Sequence, residues 1–99
     1  MVKTFLIIAS TLIVSPAWAA DARNGEALAR RWCATCHVVA SDQRGPASEA
    51  PPFASIAKRP DFDAQKLAFF LLNPHPKMPD MGLSRGATED LAAYIASLK

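Results

Sequence analysis

The chain has 99 residues, 51% of them hydrophobic and 20% charged, which fits one small domain and excludes repeat arrays and multidomain enzymes. Eleven Lys and Arg against nine Asp and Glu give a formal net charge of +2, so there is no broad basic field of the kind that drives nucleic-acid binding. A core this small lies near the lower limit for independent stability, and a disulfide, metal, bound cofactor or partner is expected to supplement it.

Residues 1–19 read as a secretory signal peptide: Lys3, an apolar run from Phe5 to Val14, then Ser15-Pro16-Ala17-Trp18-Ala19. Ala17 and Ala19 give the A-x-A pattern that signal peptidase needs, placing cleavage after Ala19. The ten-residue run is well short of the ~20 residues that span a bilayer, and Pro16 breaks the helix where an anchor has to continue. The expected mature domain is residues 20–99, exported, soluble and not inserted in a membrane. Loss of Lys3 leaves ten basic and nine acidic residues, a net charge of +1.

In the mature chain, Gly25, Leu28, Ala29 and Trp32 fall at i, i+3, i+4 and i+7, which predicts a helix over 22–32 with Asp21 as its N-cap. Gly25 lowers helix stability, so its place on the apolar face predicts close approach of another helix. From Val38 to Pro60 the composition is that of a loop, with one short helical turn near Phe53 to Lys58. Asp61 or Asp63 caps a second main helix running to Leu72, with Leu67, Phe70 and Leu71 on its buried side, and Asn73-Pro74 stops it. Pro74, Pro76 and Pro79 predict an extended strap. Ser84 then caps a last helix in which Leu91, Tyr94, Ile95 and Leu98 repeat the helical spacing. Period-two alternation is lacking throughout, so the fold class is all-α, with three to four helices.

The chemistry centres on Cys33-Ala34-Thr35-Cys36-His37, a C-x-x-C-H motif that signals covalent c-type haem attachment. Two thiols three positions apart can reach the two vinyl groups of one haem, and the adjacent imidazole points at the iron. Three other readings compete. A thioredoxin-like dithiol needs a βαβ scaffold, which this pattern lacks. Zinc needs four ligands, and Cys33, Cys36, His37 and His75 add up to four, but His37 follows Cys36 too closely for zinc-finger spacing. A structural disulfide suits an exported chain but closes a very small ring. The leader, the pentapeptide and the helical pattern agree on haem.

The sixth iron ligand decides between gas or peroxide chemistry and electron transfer. Met78, Met81 and His75 all lie between the second main helix and the last. A thioether favours Fe(II) and raises the potential above that of a bis-His site. Met78 stands between Lys77 and Pro79 on a proline-stiffened strap, which carries its sulfur at low entropic cost. Met81 reads as core padding and His75 as a surface residue.

The mature chain resembles the small bacterial class I c-type cytochromes, the cytochrome c551-like monohaem carriers. The likeness rests on Gly25 ahead of the Cys33 to His37 motif, Gly45-Pro46, Lys77-Met78-Pro79, Gly82-Leu83-Ser84 and Leu91-Ala92-Ala93-Tyr94-Ile95. The resemblance implies one haem c held by Cys33 and Cys36, with His37 as proximal and Met78 as distal iron ligand. It also implies that the Pro46 carbonyl accepts the His37 ring N–H. The first and last helices are expected to cross, with Gly25 and Leu28 against Leu91 and Tyr94. Ala29 departs from the aromatic residue many members carry there, and Ala87 leaves Ser84 without a capping box.

The implied function is a periplasmic one-electron carrier, not an enzyme, with Phe53, Leu67, Phe70 and Leu71 making a pocket of low dielectric. Implied partners are a dehydrogenase donor and an oxidase or reductase acceptor, docking transiently on a monomer. Basic side chains at Arg30, Arg31, Lys58, Lys66 and Lys77 are candidates for guiding an acidic partner. Two alternatives stand beside this: a dedicated haem subunit or acceptor of a dehydrogenase or oxidase complex, and a ligand-binding or peroxidase-like protein with an open sixth site.

Overall fold

The computed structural model describes residues 1–2, 8–13, 19–45, 50–73 and 77–99, which hold four α-helices and no strand. Helix α1 spans Ala22–Trp32, and the Asp21 carboxylate caps it by accepting from the Arg23 and Asn24 N–H groups at 3.0 and 3.2 Å. Helix α2 is the short turn Phe53–Ala57. Helix α3 spans Ala64–Leu72, and of the two candidate caps it is Asp63 that accepts from Gln65 and Lys66. Helix α4 spans Arg85–Ala96, capped by the Ser84 hydroxyl at the Ala87 N–H. It ends before Leu98, which packs from the following turn.

Helix α4 is the hub, packing on α1, α3 and α2. The buried stripe of α1 is Gly25, Ala29 and Cys33, each four residues after the last. Trp32, expected on that face, is 46% exposed, because one residue of helix turns it away from the stripe that Cys33 completes. A Cβ on Gly25 would lie 1.9 Å from the Asp90 carbonyl oxygen and 2.8 Å from Tyr94 Cβ, so the expected close approach is that of α4. Small residues let the two helices meet almost backbone to backbone.

Asp90 also holds the start of α1. Its carboxylate accepts from the Asp21 N–H at 2.7 Å and from the Asn24 side-chain amide at 2.8 Å. The same small-residue logic governs α3, where Ala68 is buried while Leu67 and Leu71 are half-buried. Phe70, expected inside, is 42% exposed and Phe69 75% exposed. Helix α3 packs on α4, and Ala68 is its buried residue. The described residues Ile8, Leu12 and Ile13 are between 80% and 91% exposed and add nothing to the core. Among the described residues, no helix is long and apolar enough to cross a membrane.

Candidate functional site

The end of α1 builds the site. Cys33 caps the helix, its N–H bonded to the Ala29 carbonyl, and the N–H groups of Cys36 and His37 both return to the Cys33 carbonyl at 3.2 and 2.9 Å. One tight turn thereby collects both thiols and the imidazole. Both cysteines are free, Cys33 buried and Cys36 exposed. Burial pushes the Cys33 thiol up to about 11. A thioredoxin-like dithiol sits on a βαβ scaffold, and the described residues hold no strand, so that reading has no support in this fold. Among the described residues, no three His, Cys, Asp or Glu side chains converge as a metal cluster.

His37 is half-buried, and its Nδ1 lies 2.6 Å from the Pro51 carbonyl oxygen. A carbonyl can only accept, so Nδ1 carries the ring proton and Nε2 keeps a free lone pair. The Phe53 ring stands 5.1 Å from the imidazole, tilted by 48°. The sequence expectation for this acceptor is the Pro46 carbonyl. Pro46 lies outside the described residues, and the acceptor is Pro51. The reason is where α2 starts: the Phe53 N–H bonds to the Val38 carbonyl at 2.9 Å, which draws the residues just ahead of α2 alongside His37. Anchoring of α2 to Val38 brings the Pro51 carbonyl to the ring.

The loop after His37 is held from both sides. The Tyr94 hydroxyl of α4 donates to the Val39 carbonyl. The Gln43 amide bonds to the backbone of Ala34, His37 and Val39. Neither contact was foreseen, since Gln43 sits in a run of loop-forming polar residues and Tyr94 reads as a helix-face aromatic. The i, i+4 ion pair of Arg30 with Glu26 extends to Asp42 across the loop, both at 3.1 Å, so Arg30 is not free to steer a partner.

Met78 and Met81 are half-buried on the strap leading to α4. The strap turns at Gly82, whose φ of 62° suits glycine and whose N–H bonds to the Asp80 carboxylate at 2.9 Å. His75 lies outside the described residues.

These residues fit a haem by their chemistry. Two thiols and an imidazole with an available Nε2 share one turn, and Ile56, Leu67, Leu71 and Leu83 pack on the core while still half-exposed, as apolar walls for a flat ring. Two surface grooves, one between α3 and α4 and one beside Val38 to Asp42, include neither His37 nor Met78, so donor chemistry, not cavity shape, marks the site.

A family model described as cytochrome c oxidase, cbb3-type, subunit III matches residues 20–95. The chain is similar to cytochrome c-552 of Bradyrhizobium diazoefficiens, with 56% identity over 94 residues, which is 95% of this chain and 90% of the relative. No solved structure matches it. With a helical fold, a C-x-x-C-H turn at the end of α1 and a family match over most of its length, the chain belongs to this cytochrome c family and is a small class I c-type cytochrome carrying covalently attached haem c.

Proposed function

We propose that this chain is an exported, periplasmic one-electron carrier in which Cys33 and Cys36 hold the haem as thioethers and His37 and Met78 ligate the iron. The observation that carries it is the commitment of His37 Nδ1 to the Pro51 carbonyl, which leaves Nε2 as a ligand in the same turn as two free thiols. The haem supplies the one-electron Fe(III)/Fe(II) couple. The protein's part is positional and dielectric. Pro51 and Phe53 fix the imidazole, while Leu67, Leu71 and Leu83 exclude water. The strap from Lys77 to Gly82 presents the Met78 sulfur, whose softness favours the reduced state. Such a site needs no substrate pocket, and its partners are redox proteins that dock and leave quickly.

Export is supported by the leader pattern and by a family match that begins at residue 20, the first residue after the expected cleavage. The similarity to cytochrome c-552 favours a carrier. The family description favours a second reading, a haem subunit held within an oxidase complex. Purification from the native host separates the two: a carrier elutes alone at the size of a monomer, and a subunit elutes with its complex.

Absorption spectra of the oxidised and reduced holoprotein test the ligand set. Low-spin haem with the weak sulfur-to-iron charge-transfer band establishes His/Met ligation. Low-spin haem without that band points to His75, and high-spin haem to an open sixth site and a ligand-binding or peroxidase-like protein.

A further inference from the structure

Gln43 lies half-buried in the loop between α1 and α2, and its amide bonds to backbone around the ligand turn. Its Oε1 accepts from the Val39 N–H at 2.8 Å. Its Nε2 donates to the His37 carbonyl at 2.8 Å and to the Ala34 carbonyl at 3.0 Å. The partners fix the amide's orientation, because a backbone N–H demands the oxygen and two carbonyls demand the NH2 group. Both amide hydrogens and one acceptor position are thus engaged within a segment that has no helical ladder of its own.

The placement of these bonds is selective. Tyr94 holds the Val39 carbonyl and Phe53 holds the Val38 carbonyl, but Gln43 bonds to the backbone of His37 itself. It joins His37 to Ala34, inside the C-x-x-C-H turn, and to Val39 beyond it. The imidazole is fixed at its far end by the Pro51 carbonyl. With the ring held there and the backbone held by Gln43, the direction of the Nε2 lone pair is set from two sides. Release of either end lets the peptide move relative to Pro51 and rotates or tilts the ring.

We infer that Gln43 is a positioning residue for the axial ligand His37, an amide clamp that sets the geometry of the ligand bond and thereby the redox potential. The inference rests on the proposed ligation by His37. A neutral amide bonded to the ligand's own backbone acts through orientation and not through charge, which distinguishes it from a nearby ionic residue.

Two holoprotein variants test it. Gln43→Leu is neutral and similar in size, and it removes all three bonds. Gln43→Glu keeps the acceptor for Val39 but removes both donors and sets a carboxylate against two carbonyls. Midpoint potential and the hyperfine-shifted NMR resonances of the axial histidine are measured beside the thermal midpoint. The expected result is displaced histidine resonances in both variants with haem still attached, and a shifted potential in Gln43→Leu although no charge has changed. A purely structural role would lower the thermal midpoint and leave wild-type resonances and potential, which overturns the inference. If Gln43→Leu yields no holoprotein, unchanged histidine resonances in Gln43→Glu overturn it and displaced ones support it. Wild-type protein without axial histidine resonances overturns the ligand assignment, and this inference with it, before either variant is compared.

Discussion

The hydroxyl of Tyr94 donates a hydrogen bond to the carbonyl of Val39, 55 residues earlier in the chain. The bond joins the last helix to the loop that follows the haem-binding turn, and both residues are buried. It explains why Tyr, and not another aromatic, stands in the stripe of Leu91, Tyr94 and Ile95: its ring fills the core while its hydroxyl satisfies a loop carbonyl.

Replacement of Tyr94 by Phe keeps the ring and orphans the Val39 carbonyl. The expected cost is about 1–3 kcal/mol, read as a lower urea midpoint at unchanged slope. The Tyr94 phenol is also raised above its ordinary value, first by burial and then by the Glu26 carboxylate. An acid raised on folding stabilises the fold below its unfolded value and loses that contribution as pH rises through its folded one. Stability of the wild type is therefore expected to fall above pH 10 by an increment that Tyr94→Phe lacks.

Gly25→Ala sets two effects against each other. Alanine gains about 1 kcal/mol of helix propensity, but its Cβ would stand 1.9 Å from the Asp90 carbonyl oxygen, a backbone atom that cannot swing away. Steric displacement of α4 wins, and a net loss of about 1–3 kcal/mol or more is expected in thermal or urea unfolding. An unchanged or higher stability would refute the backbone contact between α1 and α4.

Asp90→Ala removes the acceptor of the Asp21 N–H and the Asn24 amide. Since the site is largely exposed, a loss of about 1 kcal/mol is expected, with amide hydrogen exchange quickened at the first turn of α1 and little changed in α3.

At the iron, Met78→Ala is expected to give high-spin, carbon-monoxide-reactive haem of lower potential, while Met81→Ala leaves the spectrum nearly as it was. The opposite pattern reassigns the ligand. His37→Ala is expected to prevent accumulation of a stable holoprotein.

Local chemistry along the chain determined the helices, their caps and the chemistry of the site. Asp21, Asp63 and Ser84 cap where side-chain oxygens precede apolar periodicity, and the C-x-x-C-H turn forms because Cys33 ends a helix. The need for a close contact at Gly25 was also legible, since a glycine on a buried helical face has few other uses. Tertiary structure alone decided which partners those residues meet. The Pro51 carbonyl faces His37 because the start of α2 is fastened to Val38, and no local pattern encodes that distance. Ala68 is the buried residue of α3 where it packs on α4, because helix separation is a property of the pair. Tyr94 and Asp90 bond to groups far away in the chain, and a polar side chain's partner across a fold leaves no periodic trace in sequence, while Gln43 ties together backbone of its own irregular loop and the adjoining turn, which has no periodicity to read.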